Sequence, residues 1–164
     1  MSTSIGVTKD AVYITFEAAD QPDVLALIAE LDVYQHTLYP PASVYALDLV
    51  SVQQEQLLLA VARDAQGVAL GCGALLLTAS YGELKRMYVS PGQRGRGIAT
   101  SILVTLENAA KKSDCRQLML ETGTLQPQAQ SLYAQAGYSV CAAFGGYPED
   151  AYSVFMQKRL DEAA

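Results

Sequence analysis

Two segments of different periodicity meet at a glycine-rich run. Leu84-Lys85-Arg86-Met87-Tyr88-Val89 reads as a strand, and Ile98, Ile102, Leu103, Leu106, Ala109 and Ala110 return at helical spacing. Between them lies Ser90-Pro91-Gly92-Gln93-Arg94-Gly95-Arg96-Gly97. The order strand, glycine loop, helix puts small residues where a helix begins. A helix start carries backbone N–H groups without partners and the positive end of the macrodipole. Glycines let a phosphate approach those groups, and Arg94 and Arg96 add fixed positive charge. The segment predicts an α/β chain with a site for a phosphorylated ligand.

Spacing separates the phosphate loops. Gly95-Arg96-Gly97-Ile98-Ala99-Thr100 nearly fits the dinucleotide pattern G-x-G-x-x-G, with Thr100 where a third small residue belongs. Glu121, at the end of the next apolar run, stands where such a site needs an acid for a ribose. A nucleoside-triphosphate loop is excluded, since no Lys-Ser or Lys-Thr follows. A plain surface turn before a helix is the bland alternative.

The rest of the chain reads as alternating elements. Residues 12–18 have strand composition, and Asp20 or Asp23 is placed to cap a helix starting at Pro22. Val24, Leu25, Leu27, Ile28, Leu31 and Tyr34 give that helix an apolar stripe, and Pro40-Pro41 ends it near Tyr39. Ser43 predicts a second, short helix over 44–49. Strands follow at 56–62, 68–78 and 82–89, the first two joined by a turn ending in Gly67. In the third, Leu84 and Met87 differ in parity, so an extra residue is needed to put both on one face. Lys111 and Lys112 close the central helix with charge suited to its negative end. A strand at 117–121, a helix from Pro127 to the stop at Gly137, and strands at 138–142 and 152–160 complete the order. This is a mixed sheet with helices on both faces.

At 164 residues one domain, 1–164, is expected, with 51% hydrophobic and 17% charged residues suiting a globular chain. No apolar stretch approaches the roughly 20 residues of a membrane span. Met1-Ser2-Thr3-Ser4 lacks the basic and apolar regions of a secretory leader. Cys72, Cys115 and Cys141 are odd in number and lack C-x-x-C spacing, and with one histidine no metal site is expected. Reduced thiols in the cytoplasm are the simplest reading. A net charge of −6 argues against nucleic acid as a partner, although four of the eleven basic residues fall between Lys85 and Arg96.

Arg94-x-x-Gly97-x-Ala99 resembles the acetyl-CoA signature Q/R-x-x-G-x-G/A of the GNAT N-acetyltransferase superfamily. Val89-Ser90-Pro91 before it resembles that family's strand end. Gln126-x-x-Ala129-x-x-Leu132-Tyr133-x-x-x-Gly137-Tyr138 is similar to its C-terminal helix motif, where Asn is more usual at the Gln126 position. The resemblance runs from about residue 67 to 160. It implies a GNAT-like fold of about seven strands, with a bulged central strand splayed to receive pantetheine. Acetyl would pass from acetyl-CoA directly to a primary amine, in a ternary complex.

Residue roles follow by the same resemblance. The backbone of Met87, Tyr88 and Val89 would hold the pantetheine arm. Arg94, Gly95, Arg96, Gly97, Ile98 and Ala99 would hold the pyrophosphate, with Gln126 beside the cofactor. Tyr133 corresponds to the tyrosine that protonates the departing thiolate. Glu83, eleven residues before Arg94, has the offset of the glutamate base of the family's histone acetyltransferases; a strand carboxylate paired with Lys85 or Arg86 is the alternative. The fold builds its acceptor pocket from the first helical segment and the loop before the last strand, which nominates Tyr34, His36, Tyr39 and Phe144. Those rings, with Tyr45, Tyr147 and Tyr152, point to a compact acceptor with one amine and an aromatic or apolar body. Cys72 between Gly71 and Gly73 reads as a packing residue rather than a nucleophile. Leu120-Glu121-Thr122-Gly123, Phe144-x-x-Tyr147-Pro148 and Ser153-Val154-Phe155-Met156 resemble a bacterial subgroup, some members of which carry an indole-acetate acetyltransferase label. Protein N-terminal or lysine acetylation and a non-catalytic acyl-CoA module remain alternatives, and a homodimer is compatible with the chain.

Overall fold

Strands rich in Leu, Ala and Val bury both faces at the middle of the sheet. The computed structural model describes residues 11–160. Met1-Ser2-Thr3-Ser4, from which the absence of a leader was read, and both ends of the 1–164 span lie outside the described residues. The strands are β1 (Val12–Phe16), β2 (Leu57–Asp64), β3 (Ala69–Leu77), β4 (Gly82–Val89), β5 (Gln117–Gly123), β6 (Ser139–Cys141) and β7 (Ser153–Arg159). They form one sheet in the order β1-β2-β3-β4-β5-β7-β6. Every pairing is antiparallel except β4 with β5.

The helices α1 (Pro22–Leu38), α2 (Ile98–Lys112) and α3 (Pro127–Gln135) cover opposite faces. Val24, Leu27, Ile28 and Leu31 of α1 pack with Leu59, Val61, Cys72 and Tyr88. On the other face Ile98, Ile102, Leu103 and Leu106 of α2 join Leu75, Leu84, Leu118 and Leu120, with Tyr133 of α3 in the same cluster.

The parity break in β4 is a real bulge. Ala74 pairs with Lys85 and Cys72 with Tyr88, so Arg86 and Met87 share the place opposite Gly73. Arg86 absorbs the extra residue with a left-handed φ of 58°. Met87 thereby returns to the face of Leu84. A Cβ on Gly73 would fall 2.3 Å from the Met87 sulphur, so a larger residue could not lie under it.

Beyond the bulge the sheet opens. β4 and β5 pair only over Gly82, Glu83 and Leu84 against Leu118, Met119 and Leu120. On that side, the edge of β4 from residue 85 onward has no strand beside it among the described residues.

Two local expectations are corrected. Residues 44–49 are not a helix: a 3₁₀ turn at Pro41–Ser43 is followed by irregular chain. That chain is tied to the sheet instead, because the Arg86 Nε donates to the Leu47 carbonyl at 3.1 Å and Leu49 is buried under α1. Nor does Asp20 or Asp23 cap α1. Its N-cap is Gln21, without a side-chain cap bond. Asp23 sits in the first turn, accepting from the Val24 amide and the Arg63 guanidinium.

Candidate active site

The glycine loop ends in a cradle of backbone donors. Gly97 caps α2 with a φ of 75°, a conformation that a side chain disfavours, and Gly95 has a φ of 80°. The first backbone bond of the helix is from the Ser101 amide to the Gly97 carbonyl. The amides of Gly95, Gly97, Ile98, Ala99 and Thr100 therefore meet no backbone carbonyl among the described residues. A Cβ added at Gly92, Gly95 or Gly97 would touch nothing within 4 Å. Open space above aligned donors at a helix start fits a pyrophosphate. Arg94 donates from Nε to the Val89 carbonyl at 3.1 Å, and its guanidinium lies about 6 Å from the rings of Tyr34 and Tyr88.

That cradle is one end of a cavity of about 570 Å³. The cavity runs past Met87, Tyr88 and Val89 on one wall and Gln126, Ala129 and Leu132 on the other, and reaches Tyr133. The free edge of β4 can take an extended ligand as a neighbouring strand would be taken.

A second, smaller cavity of about 80 Å³ occupies the opening between β4 and β5. Tyr39, Tyr45 and Tyr152 overhang it, and Glu121 rises from β5 into it. The two cavities share Leu31, Met87, Gln126, Ala129 and Tyr133, so they meet at the tyrosine. Tyr133 is 6% exposed, and its hydroxyl bonds to no group among the described residues. Burial pushes that hydroxyl well above its ordinary pKa, so it stays protonated at neutral pH.

The model of the acetyltransferase (GNAT) family matches residues 23–138. The chain belongs to the GNAT acetyltransferase family. An IAA acetyltransferase of Azospirillum brasilense is 38% identical over 151 residues, spanning 91% of this chain and 98% of that protein. A Klebsiella pneumoniae protein assigned to the acyl-CoA N-acyltransferases superposes with a TM-score of 0.83 at 38% identity, over 92% of this chain and 99% of that one. PaiA N-acetyltransferase of Thermoplasma acidophilum, in complex with coenzyme A, shares the fold at 18% identity with a TM-score of 0.70, over 91% and 99% of the two chains. The seven-stranded GNAT architecture, with its bulge and splay, is thus the enzyme scaffold that the sequence predicts.

Within this GNAT scaffold the expected residues are distributed unevenly. Met87, Tyr88, Val89, Arg94, Gly95, Gly97, Ile98, Ala99 and Gln126 all line the larger cavity. Arg96 lies outside that lining, and its guanidinium contacts the Gln93 side chain. Tyr34 lines the larger cavity rather than the smaller one. Tyr39 lines the smaller cavity and is buried; its hydroxyl donates to Gln126 Oε1 at 3.1 Å and accepts from the Leu125 amide at 3.2 Å. His36 is exposed in the last turn of α1 and lines neither cavity. Phe144 also lines neither, being enclosed by the rings of Tyr81, Tyr147 and Phe155.

Glu83 is buried and already engaged. The Tyr147 hydroxyl donates to its carboxylate, and the Lys85 ammonium is 3.4 Å away. Its carboxylate faces the α1 side of the sheet but is in the lining of neither cavity. Arg86 is not its partner, since it pairs with Asp32 at 2.6 Å. Cys72 is fully buried, and burial pushes its thiol up to about 12, leaving it protonated and inert.

Sequence reading gave Glu121 no catalytic role, naming it only as a ribose acid in the dinucleotide alternative and within the Leu120-Glu121-Thr122-Gly123 motif. Its one hydrogen-bond partner among the described residues is the Ser153 hydroxyl, at 2.8 Å. Burial raises its carboxyl to about 7. The usable signal was parity: Leu118 and Leu120 face the α2 core, so Glu121 must face the other way, on the side of Glu83.

Proposed function

We propose that this GNAT enzyme transfers an acetyl group from acetyl-CoA to a small primary amine, directly, in a ternary complex. The observation that carries the reading is the meeting of two cavities at Tyr133. One is long, with a backbone-donor cradle at its far end; the other is small and lined by tyrosine hydroxyls, the Glu121 carboxylate and the side chains of Lys85 and Arg86. Coenzyme A in the Thermoplasma protein of the same fold supports the choice of donor.

Bound acetyl-CoA supplies an activated acyl group as a thioester. The amides of residues 95 and 97–100 hold the pyrophosphate, and Arg94 and Arg96 add positive charge near it. The free edge of β4 at Met87 and Val89 aligns the pantetheine arm. Gln126 packs beside the arm. Tyr133 donates its hydroxyl proton to the departing sulphur. Tyr39, Tyr45 and Tyr152 bound the acceptor space and favour a compact amine with an aromatic or apolar body. Tyr34 flanks the donor side, while His36 and Phe144 act on the acceptor only through the segments they belong to. We place the enzyme in the cytoplasm, on the support of three free thiols. No helix among the described residues is long and apolar enough to cross a membrane.

Acetyl-CoA-dependent thiol release with a panel of amines, amino acids and peptides tests this reading. A monoamine with an aromatic body is expected to be the best acceptor. A lysine-rich peptide or spermine as best acceptor would overturn the small-pocket reading. Tight acetyl-CoA binding with no turnover on any acceptor would favour a non-catalytic module.

A further inference from the structure

Two carboxylates stand on the α1 side of the sheet at the splay, and their surroundings differ. The parallel register that sets Glu83 beside Met119 and Leu84 beside Leu120 would, one step on, set Lys85 beside Glu121. The strands part there. Lys85 turns to Glu83 and the Tyr147 hydroxyl, leaving Glu121 to face the smaller cavity. Charged or titratable groups approach Glu121 from every side: Glu83 and Lys85 from β4, Asp150 and Tyr147 from the loop before β7, and Tyr39 and Tyr45 from the end of α1 and the chain after it. Lys85, Arg86, Tyr133 and Tyr152 are among the residues that line the cavity with it. Lys85 favours the ionised form, while Asp150 and Glu83 oppose it. One oxygen of each carboxylate accepts from neighbours, Glu83 from Tyr147 and Lys85 and Glu121 from Ser153. What separates them is that Glu121 lines the cavity shared with Tyr133 and the overhanging tyrosines, whereas Glu83 lines neither cavity.

From this geometry we infer that Glu121, rather than Glu83, is the general base that takes the proton from the acceptor amine. The inference rests on the acetyl-transfer reading above. The neutral amine nitrogen attacks the thioester carbonyl carbon. A C–N bond forms from the nitrogen lone pair, and the C–S bonding pair leaves with sulphur. One N–H proton passes to the Glu121 carboxylate, and the Tyr133 hydroxyl proton passes to the sulphur. The products are an amide and a free thiol. Glu121 is left protonated and Tyr133 as a phenolate, and solvent entering the emptied cavities returns the proton from one to the other. An acceptor arriving as an ammonium releases one further proton to solvent. Glu83 then has a positioning role, holding Tyr147 and Lys85 behind Glu121.

Carboxyl titration by ¹³C NMR on the full chain labelled at glutamate tests the assignment without turnover. One resonance should titrate with a midpoint near 7, vanish in Glu121→Gln and persist in Glu83→Gln. Kinetics use tyramine as the acceptor probe and thiol release as readout. Glu121→Gln should lower kcat on the order of 10²-fold or more with acetyl-CoA affinity unchanged, as for loss of a positioned base. Glu121→Asp, which keeps a carboxylate, should recover part of that loss; melting curves check that each variant is folded. A Glu121 midpoint in the ordinary carboxylate range overturns the inference, as does a kcat loss confined to Glu83→Gln. If the wild type binds no acetyl-CoA, or releases thiol with neither tyramine nor any other amine, the acetyl-transfer reading itself fails and this assignment falls with it.

Discussion

Tyr133 owes its character to placement rather than to any partner. Its ring is fixed edge-on against Tyr138 at 5.7 Å, while its hydroxyl is left at the junction of two cavities. Tyr138 is the contrasting case, its hydroxyl donating to buried Glu107 at 2.7 Å, which Lys158 also engages. Tyr133→Phe should lower kcat on the order of 10²-fold while acetyl-CoA affinity, read by calorimetry, is largely kept. Tyr39 joins two jobs. Its ring crosses β5 at Gly123, where a Cβ would lie 1.8 Å from the Tyr39 hydroxyl, and that hydroxyl secures the turn before α3. Tyr39→Phe should therefore cost about 1 kcal/mol in urea unfolding, the worth of a lost hydrogen bond. Tyr39→Ala should in addition raise the acceptor KM with acetyl-CoA affinity changed only a few-fold.

The loop and the splayed strand pair are the elements that make a binding site out of a sheet. A helix start with no side-chain cap leaves its donors for a ligand, and two left-handed glycines let the chain bend into it without covering it. Acetyl-CoA should raise the melting temperature, as any ligand selective for the native state does. Gly97→Val should abolish that shift and lower the melting temperature of the free protein while unfolding stays cooperative, because the added methyls enter open space above the cradle and a β-branched residue disfavours the left-handed φ of 75° there. An undiminished shift in the variant would remove the cradle from the cofactor site. The bulge was legible because Leu84 and Met87 have opposite parity yet both are apolar. The segment 44–49 was misread because Ser43 looks like a cap, whereas the deciding interactions, from Arg86 to Leu47 and Asp32, come from a strand far along the chain.

Over the whole molecule, α1 is bolted to the sheet edge by one arginine. Arg63 of β2 meets Glu17 after β1 through Nη2 at 2.7 Å and Nε at 2.9 Å, Asp23 of α1 at 2.6 Å, and the Gly67 carbonyl at 2.7 Å. The Arg63 guanidinium holds the Glu17 carboxyl down at about 2, from an ordinary 4.5, and lowers Asp23 as well. A carboxyl depressed by folding contributes stability that is present above its unfolded pKa and is lost as pH falls toward the folded value. The melting temperature should therefore drop between about pH 4.5 and pH 2. Arg63→Met should be destabilised at neutral pH and show a shallower fall across that window, since its Glu17 no longer titrates so low. An unchanged slope would show that other carboxylates set the acid limit.

Local chemistry was enough to mark the strand–loop–helix order, the bulge, the Pro22 and Pro127 helix starts and the donor cradle, because periodicity and glycine placement act within a few residues. Glu83 and Glu121 show where that reach ends. Each is an acid on a strand, and nothing in its neighbours along the chain says which carboxylate is tied up and which faces the cavity. The parting of β4 from β5, the Tyr147 loop folding back 64 residues to Glu83, and the Ser153 hydroxyl beside Glu121 decide it. Likewise Tyr39 reaches the smaller cavity while His36, three residues earlier, turns to solvent. Which face of α1 meets the splay is set by the packing of Leu27, Ile28 and Leu31 on the sheet. Burial and partner choice are properties of the folded surface, and a residue's solvation, unlike its helix or strand preference, is determined by groups distant in the chain.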